Sequence, residues 1–286
     1  MENSPLYQTP ESVTNWVYPA IIPHWVADAL QKKRLIFTLT TGRSGTAFLA
    51  SVLSVFPGVM SLHEPEPKFS HWMRNVQTQP EIAWYFWGLH KLPFIARQDA
   101  AIYIETSHLF GKGFVEPLFH WQIPFDVIVL RRNRRDVARS LFQLNTIPAR
   151  SRDGLIFLVS PLDPVMLPLP ALQIMNDYQL CYWYTLEMEA RAKYYAERVS
   201  REGGKVVSIA FEDLIHEEGI LALANQLALP PLTKNQRKAL REKISQPRNT
   251  KKNMKGRPFD FSESELQQFE EEVLQLTGFE KEVPHA

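Results

Sequence analysis

Residues 36–52 read Ile-Phe-Thr-Leu-Thr-Thr-Gly-Arg-Ser-Gly-Thr-Ala-Phe-Leu-Ala-Ser-Val, and the change of composition along them decides the fold. The run 35–39 is apolar and of strand type, residues 40–46 supply two glycines, hydroxyls and one cation, and 47–53 have the composition of a helix. A strand feeding a glycine-containing turn that opens a helix makes a phosphate cradle. The first-turn amides of such a helix have no partner inside it and point at whatever sits on its N-terminus. Gly42 and Gly45 can take positive φ, Ser44 and Thr46 add hydroxyl donors, and Arg43 adds a fixed charge able to grip two anionic oxygens at once. The loop of ATP- and GTP-hydrolysing proteins places Lys-Ser/Thr after the second glycine. Here Gly45 itself precedes Thr46, so the loop is of phosphate-binding type without that pattern.

Thr41-Gly42-Arg43-Ser44-Gly45-Thr46 resembles the 5′-phosphosulfate loop of the PAPS-dependent sulfotransferases, in the Arg-Ser-Gly form of their carbohydrate and bacterial branches. The resemblance implies that Thr41, Gly42, Arg43, Ser44, Gly45, Thr46 and Ala47 hold the cofactor, with Arg43 on the leaving oxygen. Ala47 departs from the family, which often has a second hydroxyl there.

Outward from this loop, runs of strand type at 59–62, 101–105, 125–130 and 206–210 alternate with helical patterns at 69–96, 115–119, 136–144, 174–200 and 217–227. Such alternation predicts an α/β fold with a mostly parallel, doubly wound sheet and helices on both faces. Ligands then belong at the carboxyl ends of the strands, where 42–46 falls. The 286 residues are expected to form one domain. Residues 1–30 read as an arm ending in a short helix, 146–172 as a proline-rich connection suited to a lid over the acceptor, and 248–257 as a basic loop leading to a C-terminal helix over 263–276.

A second anion site lies in 127–141, Val-Ile-Val-Leu-Arg-Arg-Asn-Arg-Arg-Asp-Val-Ala-Arg-Ser-Leu. Arg132 closes a strand, and Ser140 sits about two turns into the following helix, which Asn133 is placed to cap. Arg131, Arg134, Arg135 and Arg139 read as a solvated cationic face, although arginines in a first helical turn oppose the helix dipole. Arg132, Asn133, Asp136, Val137, Ala138 and Ser140 together are similar to the 3′-phosphate motif of sulfotransferases, which implies that Arg132 and Ser140 hold the 3′-phosphate of PAPS. Phe211-Glu212-Asp213-Leu214 is a weaker echo of the family's Tyr-Glu-Asp-Leu segment near the adenine, with Phe211 in place of tyrosine. The run 248–257 occupies the place of the family's C-terminal loop, without its Arg-Lys-Gly form, and leaves open which of Arg248, Lys251 and Lys252 touch the cofactor.

Sulfonyl transfer needs an aligned acceptor, a base and positive charge on the departing phosphate. Two groups can be the base. Glu64, in Leu62-His63-Glu64-Pro65, is similar to the Glu-Pro element of the carbohydrate and bacterial branches. His108, in Thr106-Ser107-His108-Leu109, resembles the Thr-His-Leu element of the cytosolic branch. The Arg-Ser-Gly loop and the Glu-Pro pair point to one branch, so Glu64 is favoured over His108, with His63 a weaker choice.

Composition narrows the partners. A formal net charge of +1 gives no general polyanion surface, so no nucleic acid is expected and any anion site is local. One cysteine, Cys181, excludes a disulfide within the chain and a multi-cysteine metal cluster; it reads as a small buried hydrophobe. No metal-ligand spacing is evident, and sulfonyl transfer from PAPS needs none. The start of the chain lacks a signal-peptide pattern and no apolar run reaches spanning length, so a cytoplasmic protein with no membrane span is expected. Trp72, Trp84, Tyr85, Trp87 and His90 are candidates to line an acceptor cleft, for a small-molecule, lipid or carbohydrate hydroxyl or, second, an amine. Neither the acceptor nor the oligomeric state can be read from the sequence. The competing readings are a P-loop kinase or nucleotide hydrolase, which the missing loop lysine disfavours, and a non-catalytic PAP-binding relative.

Overall fold

The structure, a computed structural model, describes residues 22–170, 172–246 and 256–279. Trp16 and Tyr18 of the expected arm and Arg248, Lys251 and Lys252 of the basic loop lie outside the described residues. Strands β1 (Arg34–Leu39), β2 (Val59–His63), β3 (Ile102–Thr106), β4 (Asp126–Arg131) and β5 (Val206–Ala210) form a five-stranded sheet in the order β2-β3-β1-β4-β5. Every pairing is parallel. The expected α/β class and parallel sheet are therefore observed. Phe37 pairs with Glu105 on one side and Val127 on the other, so the chain leaving β1 emerges between the ends of β3 and β4. The order reverses there, and open α/β sheets bind their ligands in that crevice.

Strand side chains alternate between two buried faces, which is why the strands read as continuous apolar runs. Leu35, Phe37, Leu39, Tyr103 and Val127 join one core. Ile36, Ile104, Ile128, Leu130, Val207 and Ile209 join the other. Thr38 interrupts the apolar run of β1 at the level of the crevice. Its hydroxyl donates to the Ser107 carbonyl and accepts from the Ser107 amide, both at 2.9 Å, fixing the end of β3 to β1.

The helices sort onto the two faces. In chain order they are α1 (His24–Leu30), α2 (Thr46–Leu53), α3 (Met73–Thr78), α4 (Ile82–Tyr85), α5 (Leu92–Ala96), α6 (Glu116–His120), α7 (Arg134–Gln143), α8 (Arg152–Phe157), α9 (Asp177–Arg201), α10 (Phe211–Leu214), α11 (Glu217–Gln226), α12 (Lys234–Ser245) and α13 (Glu263–Thr277). Helices α2, α11 and α12 cover one face through Leu49, Val52, Ile220, Leu223 and Leu240. Helices α1, α3 to α7, α9 and α13 cover the other.

Several expectations are corrected. The helical stretch 69–96 is broken into short pieces, with a π-type turn at Phe86–Lys91 just before Pro93. Proline cannot donate to the preceding turn, and a widened turn absorbs the missing bond. Trp87 is fully buried and Trp84 nearly so, making them core rather than cleft residues. The Trp72 and His90 rings lie 5.3 Å apart, tilted by 36°, with Trp72 half-buried and His90 exposed. Helix α12 was not expected; Thr233 and Gln236 form its capping box, but Leu240 is its one buried residue, so its periodicity is faint.

Of the four arginines read as a solvated face, Arg131 and Arg139 are exposed, but Arg134 and Arg135 are not solvated. Arg134 pairs with Glu189 at 2.6 Å, and Arg135 pairs with Glu263 and, at 2.7 Å, with Glu270. These carboxylates on α9 and α13 offset the unfavourable charge in the first turn. Asn133 caps the helix, accepting from the Asp136 amide at 3.2 Å.

The segment 146–172 holds α8, capped by Ser151, and is anchored by charged side chains. Arg74 donates to both oxygens of Asp163 at 2.7 and 2.9 Å. The buried Glu187 carboxylate accepts from the amides of Met166 and Leu167 at 3.0 and 2.8 Å and pairs with buried Arg191. An irregular segment keeps its backbone satisfied in this way, on side chains instead of a ladder.

Candidate active site

The glycine turn lies where the crevice places it. Gly45 caps α2 in the left-handed region at φ +92°, and Gly42 and Arg43 have φ of +80° and +54°. A Cβ on Gly42 would come within 3.0 Å of the His108 ring, and one on Gly45 within 2.8 Å of the Phe211 ring. Both glycines are therefore required by positive φ and by close approach at once. Buried Ser44 and Thr40 share a hydroxyl contact of 2.5 Å, and the Tyr184 hydroxyl donates to the Thr41 carbonyl at 2.7 Å. The loop is held from behind by α9. Thr46 opens α2, and Ala47 follows it exposed.

The two anion motifs, distant in sequence, meet here. Arg43 Nε donates to Ser140 Oγ at 3.0 Å, and Arg132 Nη1 donates to the Arg43 carbonyl at 2.6 Å. The Arg132 guanidinium lies 5.0 Å from the centre of the Phe211 ring, so the third echo packs on the second. Partial burial and then the charge of Arg132 hold the Arg43 guanidinium below its usual value. Among the described residues neither arginine has a carboxylate partner, unlike Arg134 and Arg135 beside them. Arg132 Nε is buried and without a hydrogen-bond partner. Two unneutralised cations and an orphaned buried donor at the open end of a glycine turn fit an anion with more than one phosphate-like group. From the expected basic loop, Arg257 is committed elsewhere: it pairs with Asp177 and lies over the Phe142 ring at 4.2 Å.

Both candidate bases reach the same place from neighbouring strand ends. Glu64 follows β2 with φ +46°, and Ser107 and His108 follow β3. Ser107 Oγ donates to Glu64 Oε1 at 3.2 Å, and His108 Nε2 lies 3.7 Å from the same oxygen. Glu64 and His108 side chains keep 27% and 19% exposure, enough to meet a ligand. Oε2 of Glu64 has no partner among the described residues. Burial, and then the charges of Lys112, His63 and Arg43, hold the His108 imidazole well below its usual value. His63 turns back onto its own sheet, with Nδ1 at 2.9 Å from the Thr106 carbonyl.

Sequence reasoning missed two supports of this site. Lys112 is fully buried, four residues past His108, with Nζ 2.9 Å from His108 Nδ1. Lys91 is fully buried on the π-type turn, pairs with Glu105 at 2.9 Å and donates to the Pro65 carbonyl at 3.3 Å, behind Glu64. The Tyr103 hydroxyl donates to the other Glu105 oxygen at 2.6 Å. Only the i,i+4 spacing of His108 and Lys112 was visible in the chain.

Among the described residues no group of three or more His, Cys, Asp or Glu side chains is placed to hold a metal ion. Among the same residues no helix is long and apolar enough to cross a membrane. No protein-family model and no curated protein matches the chain. Solved structures that resemble it include a sulfotransferase domain from the curacin biosynthetic pathway, with TM-score 0.47 and 12% identity over 87% of this chain and 99% of that one. Another is the sulfotransferase domain of the Synechococcus PCC 7002 olefin synthase, with TM-score 0.42 and 16% identity over 89% of this chain and 91% of that one. At this level of superposition and identity, no activity transfers from either.

Proposed function

We propose that the protein is a PAPS-dependent sulfotransferase acting on a hydroxyl acceptor. The observation that carries the reading is the meeting of Arg43, Ser140 and Arg132 beside a left-handed glycine turn at the N-terminus of α2. The turn and Thr46 take the 5′-phosphosulfate, and Arg132 and Ser140 take the 3′-phosphate. PAPS, when bound, supplies the sulfonyl group. Arg43 faces the charge that grows on the departing phosphate oxygen. Glu64 receives the acceptor proton at Oε2, while Ser107 holds Oε1 and so fixes the orientation of the carboxylate.

Glu64 rather than His108 is the base in this reading, because the imidazole nitrogen nearest Glu64 lies opposite one already occupied by Lys112. Segment 146–172, anchored on Arg74, Glu187 and Arg191, is a fixed wall of the acceptor side rather than a hinged lid. A nucleotide kinase is disfavoured because the loop presents no lysine after Gly45. Transfer of labelled sulfonyl from PAPS to a panel of alcohols, phenols and sugars tests the proposal. Product with the wild type and none with Glu64→Ala supports it. Equal product from both would remove Glu64 from the mechanism, and PAP binding without transfer to any acceptor would favour a non-catalytic relative.

A further inference from the structure

Lys112 has no exposure and is set among three elements of the candidate site. Nζ lies 2.9 Å from His108 Nδ1, donates to the Phe157 carbonyl at 2.6 Å, and stands 5.0 Å over the ring of Tyr184. Tyr184 in turn holds the Thr41 carbonyl of the glycine turn. Burial, the largest effect, holds the Lys112 amine well below its usual value; the charge of Glu64 opposes this, and Arg191 and Arg74 add to it. The charges of His63 and Arg43 also bear on His108.

The imidazole has two arrangements open to it while neutral. With the proton on Nε2, Nδ1 accepts an N–H from Lys112 Nζ and the ring N–H faces the Glu64 carboxylate, so both contacts are attractive. With the proton on Nδ1, Lys112 Nζ can no longer donate to the ring and a lone pair faces the carboxylate, so the first contact loses its donor and the second is repulsive. We propose that Lys112 is a positioning residue that locks His108 in the Nε2–H form, making His108 a donor toward Glu64 and barring it from acting as the base. The catalytic consequence rests on the sulfotransferase reading; the protonation pattern does not. A buried amine is costly to leave without partners, and His108 Nδ1 is one of the two groups that Nζ contacts within hydrogen-bond distance.

The test is the nitrogen chemical shifts of His108 in the full chain, labelled with ¹⁵N-histidine, at neutral pH and without any nucleotide. His108→Gln assigns the signal. The expected spectrum has a protonated Nε2 and an unprotonated Nδ1. The same pattern is expected in Lys112→Gln, which keeps an N–H donor, and its loss in Lys112→Met. A wild-type spectrum with the proton on Nδ1, or a Lys112→Met protein that folds and keeps the wild-type pattern, overturns the proposal. If Lys112→Met does not fold, the wild type and Lys112→Gln decide. With PAPS and an acceptor, Lys112→Met is expected to lower kcat roughly tenfold or more with KM for PAPS unchanged. A protein that shows the Nε2–H pattern but does not bind PAP leaves this inference standing and removes the sulfotransferase reading instead.

Discussion

Replacing Gly45 by alanine adds one methyl group at the point where the glycine turn meets α10, and its cost can be worked from the geometry. The residue has φ +92°, and an L side chain in left-handed backbone costs ~1–2 kcal/mol. The new Cβ would also stand 2.8 Å from Cδ2 and Cε2 of Phe211 and 3.7 Å from Leu214, so the ring must move. That ring is backed by Arg132 at 5.0 Å, so its shift reaches the anion site. Off-rotamer displacement and overpacking add ~1–3 kcal/mol, for a total of roughly 2–5 kcal/mol. Gly58→Ala is the control: φ is +68° and nothing lies within 4 Å of its Cβ, so it carries the backbone term alone. Urea unfolding followed by circular dichroism measures both variants. Gly45→Ala should lose at least ~1 kcal/mol more than Gly58→Ala, and Gly45→Ala/Phe211→Ala should show less than the sum of its single changes. Equal losses in the two glycine variants would refute the close approach of Phe211.

Three other outcomes are expected. Lys91→Met leaves the Glu105 carboxylate buried and unpaired and should cost about 3–5 kcal/mol in denaturant unfolding, with most of it restored in Lys91→Met/Glu105→Gln. His108 has a folded value below the unfolded ~6.5, so the unfolded chain binds more protons and stability falls as pH drops below that value. His108→Gln should flatten this acid limb in thermal melts across the range while leaving stability above it unchanged in slope. Glu64→Gln should lower the transfer rate by about 10²–10⁴-fold with PAP binding intact, whereas Arg132→Ala should raise KM for PAPS, as steady-state kinetics would read.

What could be read from the chain was local. The glycine turn, the strand before it and the helix after it are contiguous, so composition and spacing found them. The Asn133 cap lies within one strand-to-helix junction and was found for the same reason. The partners of Arg134 and Arg135 stand on α9 and α13, far along the sequence, so the arginines read as solvated when they are paired. Tryptophan composition does not distinguish core from cleft, and Trp84 on α4 and Trp87 on the π-type turn both went to the core. Glu64 and His108 were each visible, but their sharing of one oxygen position depends on β2 and β3 being neighbours. Lys112 was invisible as a functional group because its chemistry comes from burial, which a sequence does not print.

Arg43, Arg132 and Ser140 are proposed to form one site for a nucleotide with a 3′-phosphate. Thermal stabilisation by PAP, compared with AMP and with ADP plus Mg²⁺ at matched concentration, tests it most directly. A ligand binding only the native state at a hundred times its dissociation constant adds ~2.7 kcal/mol. PAP is expected to stabilise the wild type, AMP not at the same concentration, and Arg132→Ala to remove the difference. Stabilisation by ADP with Mg²⁺ and none by PAP would contradict it.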